Sequence, residues 1–192
     1  MTDDAACGVQ DALGQARSGN QAAFTALVRR HQRTVYSLAL RMLWDRHEAQ
    51  DLAQEVFIRL HRSLGEMESD AHLLAWLRQV TTRLAIDRLR RQSRHATVPL
   101  EGDPGIPDEP AGGDPLLQRQ LRALIAQLPA PARAVLVLRY QEDMDPNEIA
   151  ETLALPVNTV KSHLRRSLES LRNRLESAAG SPAASPDGAA IP

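Results

Sequence analysis

Between Gln92 and Pro115 the chain holds Pro99, Pro104, Pro107, Pro110 and Pro115 together with Gly102, Gly105, Gly112 and Gly113. Proline lacks the amide donor that helices and sheets use, and glycine loses the most backbone freedom on ordering, so this run without an apolar period reads as a linker. The division it implies is a first domain over 1–94 with a loose N-terminus, a linker over 95–114 and a second domain over 115–177. Residues 178–192, rich in Ala, Ser, Gly and Pro, read as a disordered tail.

Both bodies read as helical. Aromatic residues make up 3% of the chain and β-branched runs are short, while Ala, Leu, Arg, Glu and Gln recur, which disfavours large sheets. The expected fold is therefore all-α: two small helical domains joined by a flexible Pro/Gly-rich acidic linker, with a helix-turn-helix in the second. No apolar run has the roughly eighteen residues that a membrane span needs, and the acidic start Met1-Thr-Asp-Asp4 lacks a basic signal-peptide region. A cytoplasmic protein without direct membrane insertion is expected. Cys7 is the only cysteine, so an internal disulfide is excluded, and an inert thiol in a loose terminus is expected.

The net charge of -1 conceals a segregation. From Gln21 to His95 there are thirteen Arg against eight Asp and Glu, whereas Ala96 to Asp114 carries five acids and no base. Basic side chains thus belong to the helical parts.

In the second body, Asp145 can cap a helix, Pro146 suits its first position, and Glu148 three residues after the cap completes a capping box. This predicts a helix from about Pro146 to Leu153 and a tight turn over Ala154 to Pro156. A second helix then follows, in which Val157, Val160, Leu164, Leu168, Leu171 and Leu175 form an apolar stripe. If that stripe faces inward, Asn158, Thr159, Lys161, Ser162, His163, Arg165 and Arg166 form the outer face. Asn, Lys and Arg can bond to base edges in the major groove, and Thr and Ser at a helix start suit phosphate oxygens.

In the first body, Arg46 to Ser63 reads as an amphipathic helix that buries Leu52, Val56, Phe57 and Leu60 and shows Asp51, Gln54, Glu55 and Arg59 outward. Acids and amides on an exposed helix suit a protein partner better than DNA. The stretch Leu73 to Arg91 is expected to bury Leu77, Val80, Leu84 and Ile86 or Leu89 and to expose Arg78, Arg83, Arg88, Arg90 and Arg91, a phosphate track.

These segments carry a resemblance. Asp51-Leu-Ala-Gln-Glu-Val-Phe57 resembles the RNA polymerase-binding helix of bacterial sigma factors of the extracytoplasmic-function group, within the sigma-70 family. Trp76-Leu77, Leu84-Ala-Ile-Asp87 and Arg90-Arg91 resemble the group's −10 promoter helix, and Asn147-Glu-Ile-Ala150 with Thr159-Val-Lys-Ser-His163 resembles its −35 reader. Regulators of the LuxR type share Thr-Val-Lys-Ser-His, but both motif sets in this order around a Pro-rich linker are specific. The resemblance implies that Asp51, Gln54 and Glu55 meet core RNA polymerase, and that the helix carrying Trp76, Arg90 and Arg91 meets the −10 region of promoter DNA, where Arg78, Arg83 and Arg88 of the phosphate track read from its exposed face are expected to bind as well. It further implies that Asn158, Thr159, Lys161, Ser162, His163, Arg165 and Arg166 meet the −35 element, that the loop Gly65 to His72 holds a flipped base, and that an anti-sigma factor is a partner. Near Leu73, Thr82 and Arg83 the chain lacks the aromatic, basic and Asn residues usual in the group, and Glu66, Glu68 and Asp70 make the loop acidic.

Geometry is compatible with this organisation: promoter elements about seventeen base pairs apart lie roughly 58 Å apart at about 3.4 Å per step. A linker of about twenty-two residues reaches roughly 75 Å. The rival within DNA binding is a stand-alone helix-turn-helix regulator, for which the first body has no ligand or phosphoacceptor pattern. An enzyme is not expected, nor a cofactor or metal, because there is no phosphate-cradling glycine loop or His-Glu-x-x-His. His31, His47, His61, His72, His95 and His163 are scattered and expected at surface or edge positions, with only His163 near DNA.

Overall fold

The structure is a computed structural model, described here over residues 12–95 and 115–179. The expected linker, apart from His95, and the tail beyond Ala179 fall outside these residues, as does Cys7.

Every described element is helical. After a short helix over 12–17, α1 spans Gln21–Leu43. Asn20 starts it, its side chain accepting from the amides of Ala22 at 2.9 Å and Ala23 at 3.2 Å, which satisfies donors that have no partner within the helix. Leu27, His31, Val35, Leu38 and Met42 form its buried stripe, and left-handed Trp44 (φ 54°) ends it. Helix α2, Arg46–Ser63, is capped by Asp45, which accepts from the Glu48 amide at 2.9 Å. It buries Ala49, Leu52, Val56 and Leu60 against α1 and α3. A 3-10 turn, Leu64–Glu66, and buried Met67 lead into α3, Asp70–His95. The expected α3 stripe is present, with Leu73, Leu77, Leu84, Ile86 and Leu89 buried and Val80 partly buried.

The second body comprises α4 (Pro115–Ala126), α5 (Ala130–Tyr140), α6 (Pro146–Leu153) and α7 (Val157–Ala179). The last runs two residues past the boundary expected at 177. In α5 every residue from Ala132 to Leu138 is buried, including Arg133. A helix buried all round has neighbours on every side, and α5 has them: α6 and α7 from its own body, α1 and α3 from the first. The two bodies, read from sequence as separate, therefore share one continuous core. Arg133 sits at that seam. It donates through Nη1 to the Met42 carbonyl at 3.1 Å and through Nη2 to the Ala126 carbonyl, and it lies 4.9 Å over the Trp44 ring. Burial pulls its pKa down to about 10, so it is still charged at neutral pH.

Two expectations are corrected in this architecture. His31 is buried in the α1 stripe rather than at the surface, because it stands four residues from both Leu27 and Val35. Leu168, expected in the α7 stripe, is 43% exposed, while Ser167 and Leu171 on either side of it are buried: the covered face of α7 passes through those two positions and leaves Leu168 on its flank.

Candidate nucleic-acid interface

The expected reading helix is built as its local chemistry requires. Asp145 accepts from the amides of Asn147 at 2.6 Å and Glu148 at 3.0 Å, and the Glu148 carboxylate accepts from the Asp145 amide at 2.7 Å, closing the capping box. Ala154 in the left-handed region (φ 53°) turns the chain, and the amides of Thr159 and Val160 both donate back to the Pro156 carbonyl as α7 begins. Ile149 and Val160 are fully buried between α6 and α7, which sets the angle of the pair. Asn158, Lys161, Arg165 and Arg166 consequently stand exposed, with Thr159, Ser162 and His163 half-buried beside them. Arg165 lies 4.0 Å from Glu169, with both side chains well exposed. Such a pair is worth little and releases its guanidinium to a phosphate readily. All seven residues expected from sequence thus lie together along the first turns of α7.

On α2, Asp51 and Gln54 are exposed and Glu55 is half-buried. Glu55 also ties α2 together and to α3, its carboxylate accepting from Arg59 at 2.7 Å and from Arg88 at 3.1 Å. Burial alone would raise its pKa, but the hydrogen bonds from Arg88 and Arg59 outweigh it and hold the carboxyl below its ordinary range.

The arginine track on α3 is shorter than expected. Arg88 turns inward, 17% exposed, and its Nη1 also donates to the Glu48 carbonyl at 2.8 Å and to the Glu48 carboxylate at 3.0 Å. Glu48 and Glu55, two turns apart on one face of α2, offer a desolvated guanidinium more than a phosphate in open water would. Arg78 turns toward Glu142, 3.7 Å away. Arg83, Arg90 and Arg91 are exposed, with Asp87 among them 3.9 Å from Arg90. Trp76 is half-buried against the core.

Of the expected loop Gly65 to His72, only 67–69 is irregular: Gly65 and Glu66 lie in the 3-10 turn and Asp70 to His72 in the first turn of α3, and the segment is anchored by buried Met67 and by Asp70, which accepts from Arg30 at 2.9 Å. A cavity of about 500 Å³ opens beside it, lined by Leu13, Gly14, Arg17 and Glu68 to Ala71. Sequence reasoning missed the charged seam formed by Arg41, Arg78 and Glu142, because its partners lie on separate elements with no shared period.

Comparison with known proteins agrees with the helical pattern. The chain matches the family model for sigma-70 region 2 over residues 27–95 and that for sigma-70 region 4 over residues 118–171. It is 32% identical over 180 residues to the ECF RNA polymerase sigma factor SigW of Bacillus subtilis, spanning 87% of this chain and 96% of that protein. It is 36% identical over 170 residues to the ECF RNA polymerase sigma factor SigE of Mycolicibacterium smegmatis, spanning 82% of this chain and 65% of that protein. Among solved structures, it resembles CnrH in complex with the cytosolic domain of CnrY. The TM-score is 0.61 and the identity 25%, over 86% of this chain and 96% of that one.

Proposed function

We propose how this chain works from the premise that it belongs to the sigma-70 family of bacterial RNA polymerase sigma factors, in its extracytoplasmic-function group. It is a sigma factor that directs promoter recognition and transcription initiation, and it is not an enzyme. The roles of its surfaces are our reading. Asp51 and Gln54, with the exposed part of Glu55, dock on core RNA polymerase. Asn158, Lys161, Arg165 and Arg166, flanked by Thr159, Ser162 and His163, grip and read the −35 duplex. Arg83, Arg90 and Arg91, with Trp76 and the adjoining loop, hold the −10 region. The domains that carry these roles are residues 1–94 and 115–177.

Opening the promoter needs no bond chemistry. A protein that binds unpaired bases better than paired ones shifts the duplex equilibrium by the difference in affinity. The observation that carries the reading is one chain holding both an exposed acid-and-amide helix face at Asp51 and Gln54 and an exposed Asn158–Lys161–Arg165–Arg166 face on a helix-turn-helix. A stand-alone regulator would have no use for the former. CnrH is seen bound by the cytosolic domain of another protein, and we propose that an anti-sigma factor likewise holds this chain. No described helix is long and apolar enough to cross a membrane, and the cytoplasm, where its polymerase works, is the proposed location.

The deciding experiment measures binding of the full chain to sigma-free core polymerase, then run-off transcription from a promoter pool. New sequence-selective transcripts are expected, and binding to DNA fragments without binding to core polymerase would overturn the reading.

A further inference from the structure

Glu142 lies in the loop between α5 and α6, yet its carboxylate is held by the first body. One oxygen accepts from Arg41 Nη1 at 3.0 Å and the other lies 3.7 Å from Arg78 Nε, and the side chain is 9% exposed. Arg41 is on α1 and Arg78 on α3, so two helices of the first body converge on one carboxylate of the second. The surrounding cleft, about 360 Å³, is further lined by Arg33, Thr34 and Ser37. Residues 33, 37 and 41 follow one another at four-residue steps and therefore share a face of α1. The first body supplies guanidinium and hydroxyl donors to this cleft, and the acids come from the loop, Glu142 and left-handed Asp143 (φ 53°). Without the loop, the lining is a donor set suited to an oxyanion.

The docked arrangement cannot serve a promoter. Gln79 Nε2 donates to the Glu151 carbonyl at 3.5 Å, so α3 touches α6. From Glu151 to the start of α7 is six residues, at most about 20 Å of chain. Two promoter elements require roughly 58 Å. The second body must leave the first before both elements are engaged, and leaving takes the Glu142 carboxylate away from Arg41 and Arg78.

We propose that Arg41 and Arg78, with Arg33 beside them, form a binding site for two DNA backbone phosphates, one for each of Arg41 and Arg78, which Glu142 blocks in the docked chain. One carboxylate then has two effects: it latches the bodies together and blocks a DNA contact of the first. The proposal rests on the promoter-binding reading above, and its test separates the two.

The test uses the full chain, without polymerase, and a mixed-sequence duplex of about thirty base pairs, because phosphate contacts are sequence-independent. Glu142→Ala is expected to raise the radius of gyration measured by small-angle scattering, with helical content unchanged. It should also steepen the dependence of log affinity on log salt by about 1.8, two phosphate contacts at about 0.9 each. Between 50 and 200 mM salt that is roughly a tenfold larger loss of affinity than the parent chain shows. Adding Arg41→Gln should take back about half of the gain in slope while leaving the molecule open. A Glu142→Ala chain with the parent radius would overturn the latch, and an opened chain with the parent slope would overturn the phosphate site. Arg165→Ala with Arg166→Ala, measured in the same assay, tests the reading helix separately: an unchanged slope there would count against the proposed function, not against this site.

Discussion

Replacing Arg88 by Ala should destabilise the first body without weakening its grip on DNA, the reverse of what an arginine on a phosphate track would do. The side chain is 17% exposed and reaches the Glu48 carbonyl, the Glu48 carboxylate and the Glu55 carboxylate at 2.8, 3.0 and 3.1 Å. A hydrogen bond with a charged partner contributes about 1.5–3 kcal/mol when shielded from water. Here both carboxylates rehydrate on loss of Arg88, their side chains being 41% and 37% exposed, so the whole set is worth about 1–2 kcal/mol. For a chain whose two bodies share one core, such a loss lowers Tm by roughly 2–8 °C. Thermal unfolding followed by circular dichroism measures it, with Arg91→Ala as the comparison. Arg91 is exposed, and its variant should stay within about 0.5 kcal/mol of the parent while its DNA salt slope falls by about 0.9. An Arg88→Ala chain that keeps its Tm and loses salt slope would refute this reasoning and return Arg88 to the phosphate track.

Other expectations can be checked on the same material. Asp145→Ala removes the cap that serves the amides of Asn147 and Glu148. It should cost about 1 kcal/mol in chemical denaturation and weaken duplex binding by misplacing α7. His31 has its pKa lowered from 6.5 by burial and then by neighbouring Arg30. The unfolded chain therefore takes up the proton first as pH falls, and His31 favours the fold fully above about pH 6.5 and progressively less below it. Urea denaturation at pH 7.5 and 5.5 should show that decline, and His31→Gln should flatten it. Arg165→Ala with Arg166→Ala should lower the salt slope of duplex binding by about 1.8 and leave core polymerase binding unchanged, as measured by fluorescence anisotropy.

What was legible in the sequence was whatever repeats locally. The Asp145–Pro146–Glu148 cap and the Val157–Val160–Leu164 period place α6, its turn and the exposed face of α7 within one helix pair. The α2 bounds and its buried Leu52, Val56 and Leu60 follow from the same period. Interactions between elements were not legible. Arg78 and Arg88 carry the same signature as Arg83 and Arg91 on a helical wheel, yet acids on α2 and on the α5–α6 loop claim them. Glu48 and Glu55, seven residues apart, were the available hint for Arg88. For Arg133 there was none, since its burial is explained by the Met42 and Ala126 carbonyls and the Trp44 ring, all on other elements. The docking of the two bodies was likewise hidden, because a Pro/Gly-rich linker describes their tether and says nothing of the apolar faces they share.

The most direct test of the central assignment is the affinity of the full chain for sigma-free core RNA polymerase, measured for the parent and for Asp51→Ala with Gln54→Ala. Both side chains are exposed and neither holds the fold together, so the variant should keep its Tm and its duplex binding while losing at least tenfold in affinity for core polymerase and the corresponding run-off transcript. A variant that binds core polymerase and initiates transcription as the parent does would contradict the assignment of this face to the polymerase.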